Sequence, residues 1–287
     1  MPLSLVKAWT SAQKRLKEAH IESPVIDARL LLEAATGATR SDIVTDPHRE
    51  LSPEQETVLD DYIEQRCQRK PVARILGRKG FWKLLLNLNE HVLIPRPETE
   101  CIVDMILKAT RPDQDFHMAD LGVGSGAIIL SVLAERPAAK GMATDISSEA
   151  IAVARDNAAH LGLTSRVAFM RTSWGSGLDD GQFDFIASNP PYIRSDIIES
   201  LEPEVKHHDP ILALDGGPSG LEAYKALVPD VFRLLKPMGI AYLEIGYDQS
   251  QEVESLMKSA GFSDVVTYLD LSNQPRVVLG QKKALGN

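Results

Sequence analysis

The motif Asn189-Pro190-Pro191-Tyr192 combines residue types that can hold a planar –NH2 group. It directly follows the apolar run Phe183–Ala187, so it lies at the carboxyl end of a predicted strand. Two consecutive prolines cannot continue a strand, and they stiffen the chain where it turns outward. The carboxamide oxygen of Asn189 and the carbonyl oxygen of Pro190 then form a fixed pair of acceptors, with Tyr192 as an aromatic wall. A strand that prolines end for structural reasons alone would need neither Asn189 nor Tyr192. The predicted catalytic residues are Asn189, Pro190 and Tyr192, and the predicted substrate-binding residues are these three and Pro191.

A glycine-rich turn, Gly122-Val123-Gly124-Ser125-Gly126, follows another apolar run and precedes a helical stretch. Glycines let the backbone approach a ligand closely, and a helix N-terminus offers unpaired N–H groups. The spacing differs from the dinucleotide motif G-x-G-x-x-G, and alone it also fits a structural turn. Asp145, which ends the next apolar run, could accept hydrogen bonds from two ribose hydroxyls or cap the following helix. Together the turn and Asp145 predict a nucleoside-containing ligand.

Alternating apolar runs and helical stretches must position these motifs. The apolar runs are 116–121, 141–144, 167–170, 183–187 and 240–245. The helical stretches lie near 126–135, 147–161, 219–235 and 249–260. This alternation predicts an α/β fold with a doubly wound, mainly parallel sheet, in which ligands bind at the carboxyl ends of the strands. Two last apolar segments, Val265–Leu269 and Arg276–Leu279, predict an antiparallel pair of strands.

The N-terminal quarter of the chain differs because its patterns are helical throughout. Ser52-Pro53-Glu54-Gln55 places an N-cap serine before a proline at the first helical position, and Gly37 ends an earlier helical pattern. Between Gly80 and Ile94, apolar residues predict two short strands joined around Asn87–Glu90. We therefore predict three parts, which are a helical bundle at 1–75, a linker with a β-hairpin at 76–95 and the α/β domain at 96–287.

The composition of the 287 residues is that of an ordinary globular protein, with 44% hydrophobic and 25% charged side chains. The formal net charge is -9. Neither residues 1–75 nor the rest of the chain has the basic excess typical of nucleic-acid-binding proteins. Cys67 and Cys101 are too few for a disulfide framework, and His207-His208 lacks a suitably spaced third ligand, so we predict no metal site. With no apolar stretch long enough to span a membrane, we expect a cytoplasmic protein.

The motifs together resemble those of class I S-adenosylmethionine-dependent methyltransferases that modify planar nitrogens. Within that group the chain is similar to the HemK/PrmC family, the release-factor glutamine methyltransferases, in motif order and spacing over almost its whole length. The segments that carry the resemblance are Val92-Leu93-Ile94-Pro95-Arg96-Pro97-Glu98-Thr99-Glu100, Glu202-Pro203, Ala213-Leu214-Asp215-Gly216-Gly217, Gly220-Leu221, Leu243-Glu244-Ile245-Gly246 with Gln249, and Arg276-Val277. Two positions depart from the family pattern. Val123 stands where threonine is usual, and Asn273-Gln274-Pro275 stands where a glycine often precedes the arginine.

The resemblance implies a Rossmann-like methyltransferase domain that uses S-adenosyl-L-methionine and releases S-adenosyl-L-homocysteine. The glycine turn would wrap the methionine part, Asp145 would hold the ribose, and Trp174 would lie near the adenine or methionine moiety. The implied substrate is the glutamine of the Gly-Gly-Gln loop in class 1 peptide chain release factors, which the helical bundle would dock. We expect a monomer without a nucleic-acid or membrane partner. The implied cofactor-binding residues are Gly122, Val123, Gly124, Ser125, Gly126, Asp145, Trp174 and Asn189.

Three other functions stay open from the sequence. An adenine N6-methyltransferase would share the cofactor and Asn-Pro-Pro-Tyr motifs but should carry a basic face. By resemblance, ribosomal-protein glutamine methyltransferases have Ser-Pro-Ile where this chain has Pro97-Glu98-Thr99. A non-enzymatic adaptor with the same fold would not bind the cofactor. For the enzyme, we expect orientation of the amide by the paired acceptor oxygens to supply the catalysis, without a metal or a dedicated general base.

Overall fold

A computed structural model describes residues 3–284, and the chain forms two compact units. Unit 1 contains the described residues up to Arg78 together with Glu202–His208. Unit 2 contains Lys79–Leu201 and the described residues from Asp209 onward. The predicted domain boundaries stay predictions, and the outermost residues assigned to them, 1–2 and 285–287, lie outside the described residues.

Unit 1 is built from helices whose apolar faces meet in one core. Its first five helices are α1 (Leu5–Glu18), α2 (Pro24–Thr36), α3 (Arg40–Thr45), α4 (Pro53–Cys67) and α5 (Val72–Leu76). The predicted capping signals act as expected. The Ser52 hydroxyl accepts from Gln55 N, and the Gln55 side chain accepts from Ser52 N, which closes a capping box at the start of α4. Gly37 ends α2 with a left-handed φ of 70°.

A β-hairpin follows at the start of unit 2, formed by β1 (Arg78–Phe81) and β2 (Leu84–Asn87). The sequence predicted the turn around Asn87–Glu90, and that position is wrong. The chain reverses at Trp82-Lys83, where Trp82 takes a φ of 54°. Positive φ is uncommon for a bulky non-glycine residue, so the sequence carries no turn signal at this position.

Unit 2 is organised by a seven-stranded sheet with the strand order β5-β4-β3-β6-β7-β9-β8. The strands are β3 (His117–Leu121), β4 (Lys140–Asp145), β5 (Val167–Arg171), β6 (Phe183–Ser188), β7 (Leu235–Glu244), β8 (Phe262–Leu269) and β9 (Pro275–Lys282). The five strands β3 to β7 pair in parallel, whereas β9 pairs antiparallel with both β7 and β8. The strand order reverses between β3 and β6, where ligands bind in folds of this kind. The predicted doubly wound, mainly parallel α/β fold is confirmed.

Alternate residues of the strands enter two separate cores on the two faces of the sheet. Phe185 and Tyr242 belong to one core, and their neighbours Ile186 and Leu243 belong to the other. Helices α6, α7 and α8 contribute to the first core, and α10 and α11 to the second. These helices are α6 (Glu100–Ala109), α7 (Ala127–Glu135), α8 (Ser148–His160), α10 (Glu222–Leu234) and α11 (Ser250–Ser259). Short 3-10 helices lie at Pro97–Thr99, Ile198–Ser200 and Ile211–Ala213.

Helix α9 (Pro203–Lys206) belongs to unit 1, although it follows the strands of unit 2 in sequence. A buried guanidinium holds it there. Arg66 Nε donates to Asp27 Oδ2 at 2.8 Å, and Arg66 Nη1 donates to Glu204 Oε1 at 3.0 Å. A buried charge of this kind is costly unless it is paired, so the pairing fixes α9 against α2 and α4. Within residues 3–284, no helix is both long enough and apolar enough to cross a membrane.

Candidate active site

The carboxyl ends of β3, β4, β5 and β6 open into a cavity of about 370 Å³. A volume in this range accommodates a nucleoside-sized ligand. Gly126 and Tyr192 lie outside its lining, although the sequence assigned both to the site. The other predicted residues that line it are Gly122, Val123, Gly124, Ser125, Asp145, Trp174, Asn189, Pro190 and Pro191.

Backbone hydrogen bonds to the next strand fix the glycine turn. The N–H groups of Gly122 and Val123 both donate to Thr144 O, at 2.9 and 2.8 Å. Gly124 has a φ of 52°, and a Cβ built on it would meet no atom within 4 Å. Its open side therefore leaves the backbone accessible to a ligand. Gly126 begins α7 with a φ of 86°, which makes its role conformational.

Asp145 connects the glycine turn to the start of α8. Its Oδ2 accepts from Gly124 N at 3.0 Å, and its Oδ1 accepts from Ser147 N at 2.9 Å. The N-cap of α8 is Ser147, so Asp145 is not the cap that the sequence offered as its alternative role. Burial raises the pKa of Asp145, and the backbone N–H donors oppose this shift. A carboxylate has about four acceptor positions, so Asp145 keeps acceptor capacity for a ligand hydroxyl.

Asp120 is a second acid near the carboxyl ends of the strands, and it is not among the site residues predicted from the sequence. It is 1% exposed, its Oδ2 accepts from Ile129 N at 3.2 Å, and its Oδ1 has no hydrogen-bond partner within the described residues. Burial raises its pKa to about 8. An acid inside an apolar strand directly before a glycine turn was the available sequence signal, because buried acids are rare without a partner.

Trp174 packs over the glycine turn. It takes a φ of 49°, and its carbonyl oxygen accepts from the Thr144 hydroxyl at 2.8 Å. A Cβ added at Gly122 would lie 3.4 Å from the Trp174 ring. Trp174 therefore lines the cavity and also packs against the core formed with α10 and α11. Its predicted cofactor contact stays a prediction.

The carboxamide of Asn189 contacts a segment that the sequence did not assign to the site. Asn189 Nδ2 donates to Thr99 Oγ1 at 3.2 Å, and Thr99 is 4% exposed in the 3-10 helix before α6. The cavity lining includes other residues of the segment 91–99. Within it, Arg96 Nη2 forms an ion pair of 2.6 Å with Asp209 Oδ2. The prolines at 95 and 97 were the available sequence signal for this wall.

The diproline corner is held from behind by close backbone contacts. A Cβ on Gly216 would lie 2.8 Å from Tyr192 Cα, and one on Gly220 would lie 2.7 Å from Tyr192 O. Gln249 Nε2 donates to the carbonyl oxygens of Tyr192 and Gly220, at 3.0 and 3.1 Å. Only glycine fits positions where two backbones approach this closely. Gly216, Gly220 and Gln249 belong to three of the segments that carry the family resemblance, and these segments therefore support the corner.

The side chain of Tyr192 lies outside the cavity lining. Its ring packs against the core formed with α10 and α11, and its hydroxyl donates to Glu244 Oε1 at 3.4 Å. Burial raises the pKa of Tyr192 far above its usual range. Glu244, at the end of β7, is fully buried, and burial raises its pKa to about 7. The role of Tyr192 as an aromatic wall stays a prediction.

No group of three or more His, Cys, Asp or Glu side chains within residues 3–284 is arranged to hold a metal ion.

The sequence analysis also missed Glu244 as a site residue. As with Asp120, the available signal was an acidic residue within an otherwise apolar strand. Asn157 is another missed residue. Its Nδ2 donates to Ser125 O and Asn87 O, each at 3.0 Å, so it ties the glycine turn to β2.

Two family profiles match parts of the chain. The profile of the PrmC N-terminal domain matches residues 7–77, and that of the methyltransferase small domain matches residues 99–201. Among solved structures, the hMettl16 catalytic domain in complex with MAT2A 3′UTR hairpin 6 superposes with a TM-score of 0.54. The match covers 70% of this chain and 76% of that one at 15% identity, which supports a shared fold.

Whole-chain relatives are much closer in sequence. A release factor glutamine methyltransferase of Agrobacterium fabrum is 40% identical over 93% of this chain and 94% of its own length. Another, from Caulobacter vibrioides, is 59% identical over 99% of both chains. Identity of this extent covers the helical N-terminal part as well as the sheet. The chain therefore belongs to the family of release factor glutamine methyltransferases.

Proposed function

We propose that this protein transfers a methyl group from S-adenosylmethionine to the side-chain amide nitrogen of the glutamine in the Gly-Gly-Gln loop of class 1 release factors. The observation that carries the proposal is that Asn189 and Pro190 line the same cavity as the glycine turn and Asp145. An acceptor pair for a carboxamide and a candidate nucleoside site therefore share one space. The family of whole-chain relatives supports the same substrate.

The residues present fit the methyl donor. The open side of Gly124 leaves its backbone free for close approach, and the Asp145 carboxylate retains acceptor capacity for ribose hydroxyls. We assign the ring of Trp174 and the apolar side chain of Val123 to the walls of this half of the cavity. When bound, the donor supplies an activated methyl group on a positively charged sulfur.

The task of this chain is to orient a weak nucleophile. The lone pair of an amide nitrogen is delocalised into its carbonyl group, so attack requires the nitrogen to begin leaving the amide plane. Asn189 Oδ1 and Pro190 O would each accept one amide hydrogen, which aims the nitrogen into the cavity and favours that change. Positioning alone can supply a large part of a rate enhancement. After transfer, the extra proton leaves the nitrogen to solvent.

We further propose that unit 1 docks the release factor and that the enzyme acts as a monomer. The net charge of -9 gives the chain no general attraction for a nucleic-acid backbone, which favours a protein loop over an adenine base.

The test is incubation with purified release factor and methyl-labelled donor, followed by mass spectrometry of the Gly-Gly-Gln peptide. We expect a mass increase of one CH2 on the glutamine. A release factor whose glutamine is replaced by glutamate serves as the matched control and should gain no label. Label found on a ribosomal protein or on nucleic acid, with none on the release factor, would contradict the proposed substrate.

A further inference from the structure

The polarity of the Asn189 carboxamide matters as much as its position. Only the carbonyl end accepts a hydrogen bond from an incoming –NH2 group, and the reversed side chain would oppose two donors. Nitrogen and oxygen ends of a carboxamide are nearly equal in shape, so neighbouring groups must select one orientation. In this structure Nδ2 faces Thr99 Oγ1 at 3.2 Å, which turns Oδ1 away from Thr99.

The Thr99 hydroxyl could in principle stabilise either orientation. A hydroxyl both donates one hydrogen and accepts, so it could donate to Oδ1 or accept from Nδ2. The choice depends on whether another acceptor takes its hydrogen. Glu244 is such an acceptor, because its buried Oε2 has no hydrogen-bond partner within the described residues, and the Thr99 hydroxyl is near enough to its carboxylate to lower the pKa of Glu244.

The Glu244 carboxylate is buried and short of donors. Its Oε1 accepts from the Tyr192 hydroxyl at 3.4 Å, whereas Oε2 has no hydrogen-bond partner within the described residues. A buried carboxylate oxygen without a donor is costly, so the free energy strongly favours delivery of the Thr99 hydrogen to Glu244. The titratable groups that face Glu244 are Glu98, Cys101, Tyr192, Tyr224 and Arg276.

We propose that Thr99 and Glu244 are positioning residues that fix the orientation of Asn189. The buried carboxylate takes the Thr99 hydrogen, the Thr99 oxygen therefore accepts from Asn189 Nδ2, and Asn189 Oδ1 is presented to the substrate amide. The polar chain runs in one direction from Asn189 through Thr99 to Glu244. This inference rests on the proposed function, because the orientation matters only if Asn189 receives an amide.

The pH dependence of turnover follows from the same chain. Burial raises the pKa of Glu244 to about 7, Arg276 and the Thr99 and Tyr192 hydroxyls lower it, and Glu98 raises it. Below that pH the protonated carboxyl can donate to Thr99, which frees the Thr99 hydrogen for Asn189 Oδ1 and reverses the chain. We therefore expect kcat to fall as pH is lowered through about 7 and to plateau above it.

The first experiment compares Thr99→Val with Thr99→Ser in the full-length enzyme. Valine keeps the shape and removes the hydroxyl, so we expect kcat to fall about 10- to 100-fold, the loss typical of one positioned buried hydrogen bond. The affinity for S-adenosylhomocysteine should stay within about threefold by calorimetry, since the cofactor half is unchanged. Serine restores the hydroxyl and should recover kcat to within about threefold of wild type.

The control variant is Tyr224→Phe. The Tyr224 hydroxyl donates to the main-chain oxygen of Glu244 at 2.7 Å and does not enter the polar chain, so its loss should leave kcat within about twofold. A second, independent measurement is the pH profile of Glu244→Gln. An amide has no charge to lose in this range, so the fall in kcat below about pH 7 should disappear.

The outcomes separate this inference from the proposed function. If Asn189→Ala abolishes transfer while Thr99→Val keeps wild-type kcat, the positioning role is overturned and the function stands. If Asn189→Ala keeps full activity, the proposed acceptor itself is overturned. Should Thr99→Val fail to fold, the Glu244→Gln profile decides, because an unchanged fall in kcat at low pH would contradict the proposal.

Discussion

The two halves of the cavity are held in place by different means. In the half that contains the glycine turn, main-chain N–H groups bond to the neighbouring strand and to Asp145, and the partners are 21 or 22 residues apart in sequence. In the half that contains the diproline corner, side chains reach it from 52 to 90 residues away, through Glu244, Gln249 and Thr99. The first half depends on local chain geometry, and the second depends on the whole fold of unit 2.

This difference predicts that variants of the two halves fail in different ways. Changes around the glycine turn should alter cofactor affinity. Changes at the corner should alter turnover or the stability of unit 2. Four variants test the comparison, in order of decreasing expected effect.

Asn189→Ala removes the side-chain acceptor of the corner. We expect methyl transfer to fall about 1000-fold, because one of the two groups that orient the amide is lost. The dissociation constant for S-adenosylhomocysteine should change by less than about threefold, since no backbone contact of the glycine turn is involved. Single-turnover kinetics and calorimetry measure the two quantities. A variant that lost affinity and turnover equally would show that the two halves are not separate.

Gln249→Ala removes the side chain that bonds to Tyr192 O, to Gly220 O and, as acceptor, to Gly246 N. Three buried backbone groups lose a partner, so we expect the free energy of unfolding to fall by about 3 kcal/mol. Denaturant titration measures this loss. Gln251→Ala, on the exposed side of α11, is the control and should change stability by less than about 0.5 kcal/mol. Equal stabilities for the two variants would contradict the supporting role of Gln249.

Asp145→Ala should act on the cofactor half only. We expect the dissociation constant for the methyl donor to rise about 30-fold, since two backbone donors lose their acceptor and the ribose loses its own. At saturating donor, kcat should stay within about threefold. Initial-rate kinetics over a range of donor concentrations separate these terms. A large loss of kcat at saturation would place Asp145 in the chemistry itself.

Asp120→Asn should stabilise the protein at alkaline pH. The unfolded carboxyl ionises near 3.8 and the folded one near 8, so between these values the folded state binds more protons and stability falls as pH rises. Asparagine still accepts from Ile129 N but does not ionise. We expect the free energy of unfolding of the variant, relative to the wild type, to increase by up to about 1.4 kcal/mol for each pH unit between pH 5 and pH 8. Denaturant titrations at both pH values measure the difference, and a difference that did not change with pH would contradict this explanation.

The sequence predicted the half of the cavity with the glycine turn more completely than the half with the diproline corner. The reason is that the corner is held by side chains far away in sequence. The glycine turn, Asp145 and the diproline corner stand directly after apolar strands, so short apolar runs and a few special residues suffice to locate them. Such patterns do not indicate a role for Thr99, because its hydrogen-bond partner Asn189 lies 90 residues away in sequence. The hairpin turn was misplaced because Trp82 adopts a φ of 54° that its residue type does not signal.

The ion pairs of Arg66 bear on how the docking role of unit 1 can be studied. Deleting the first 78 residues would strip Glu204 of its buried counter-ion, and Glu204 lies twelve positions after the diproline corner ends at Tyr192. A shortened enzyme would therefore carry a damaged segment around Glu204, and its inactivity would not measure substrate recruitment. Point changes at solvent-facing apolar positions such as Val25, Ile26 and Val44 leave Arg66 and Glu204 intact, so they report on docking without that confusion.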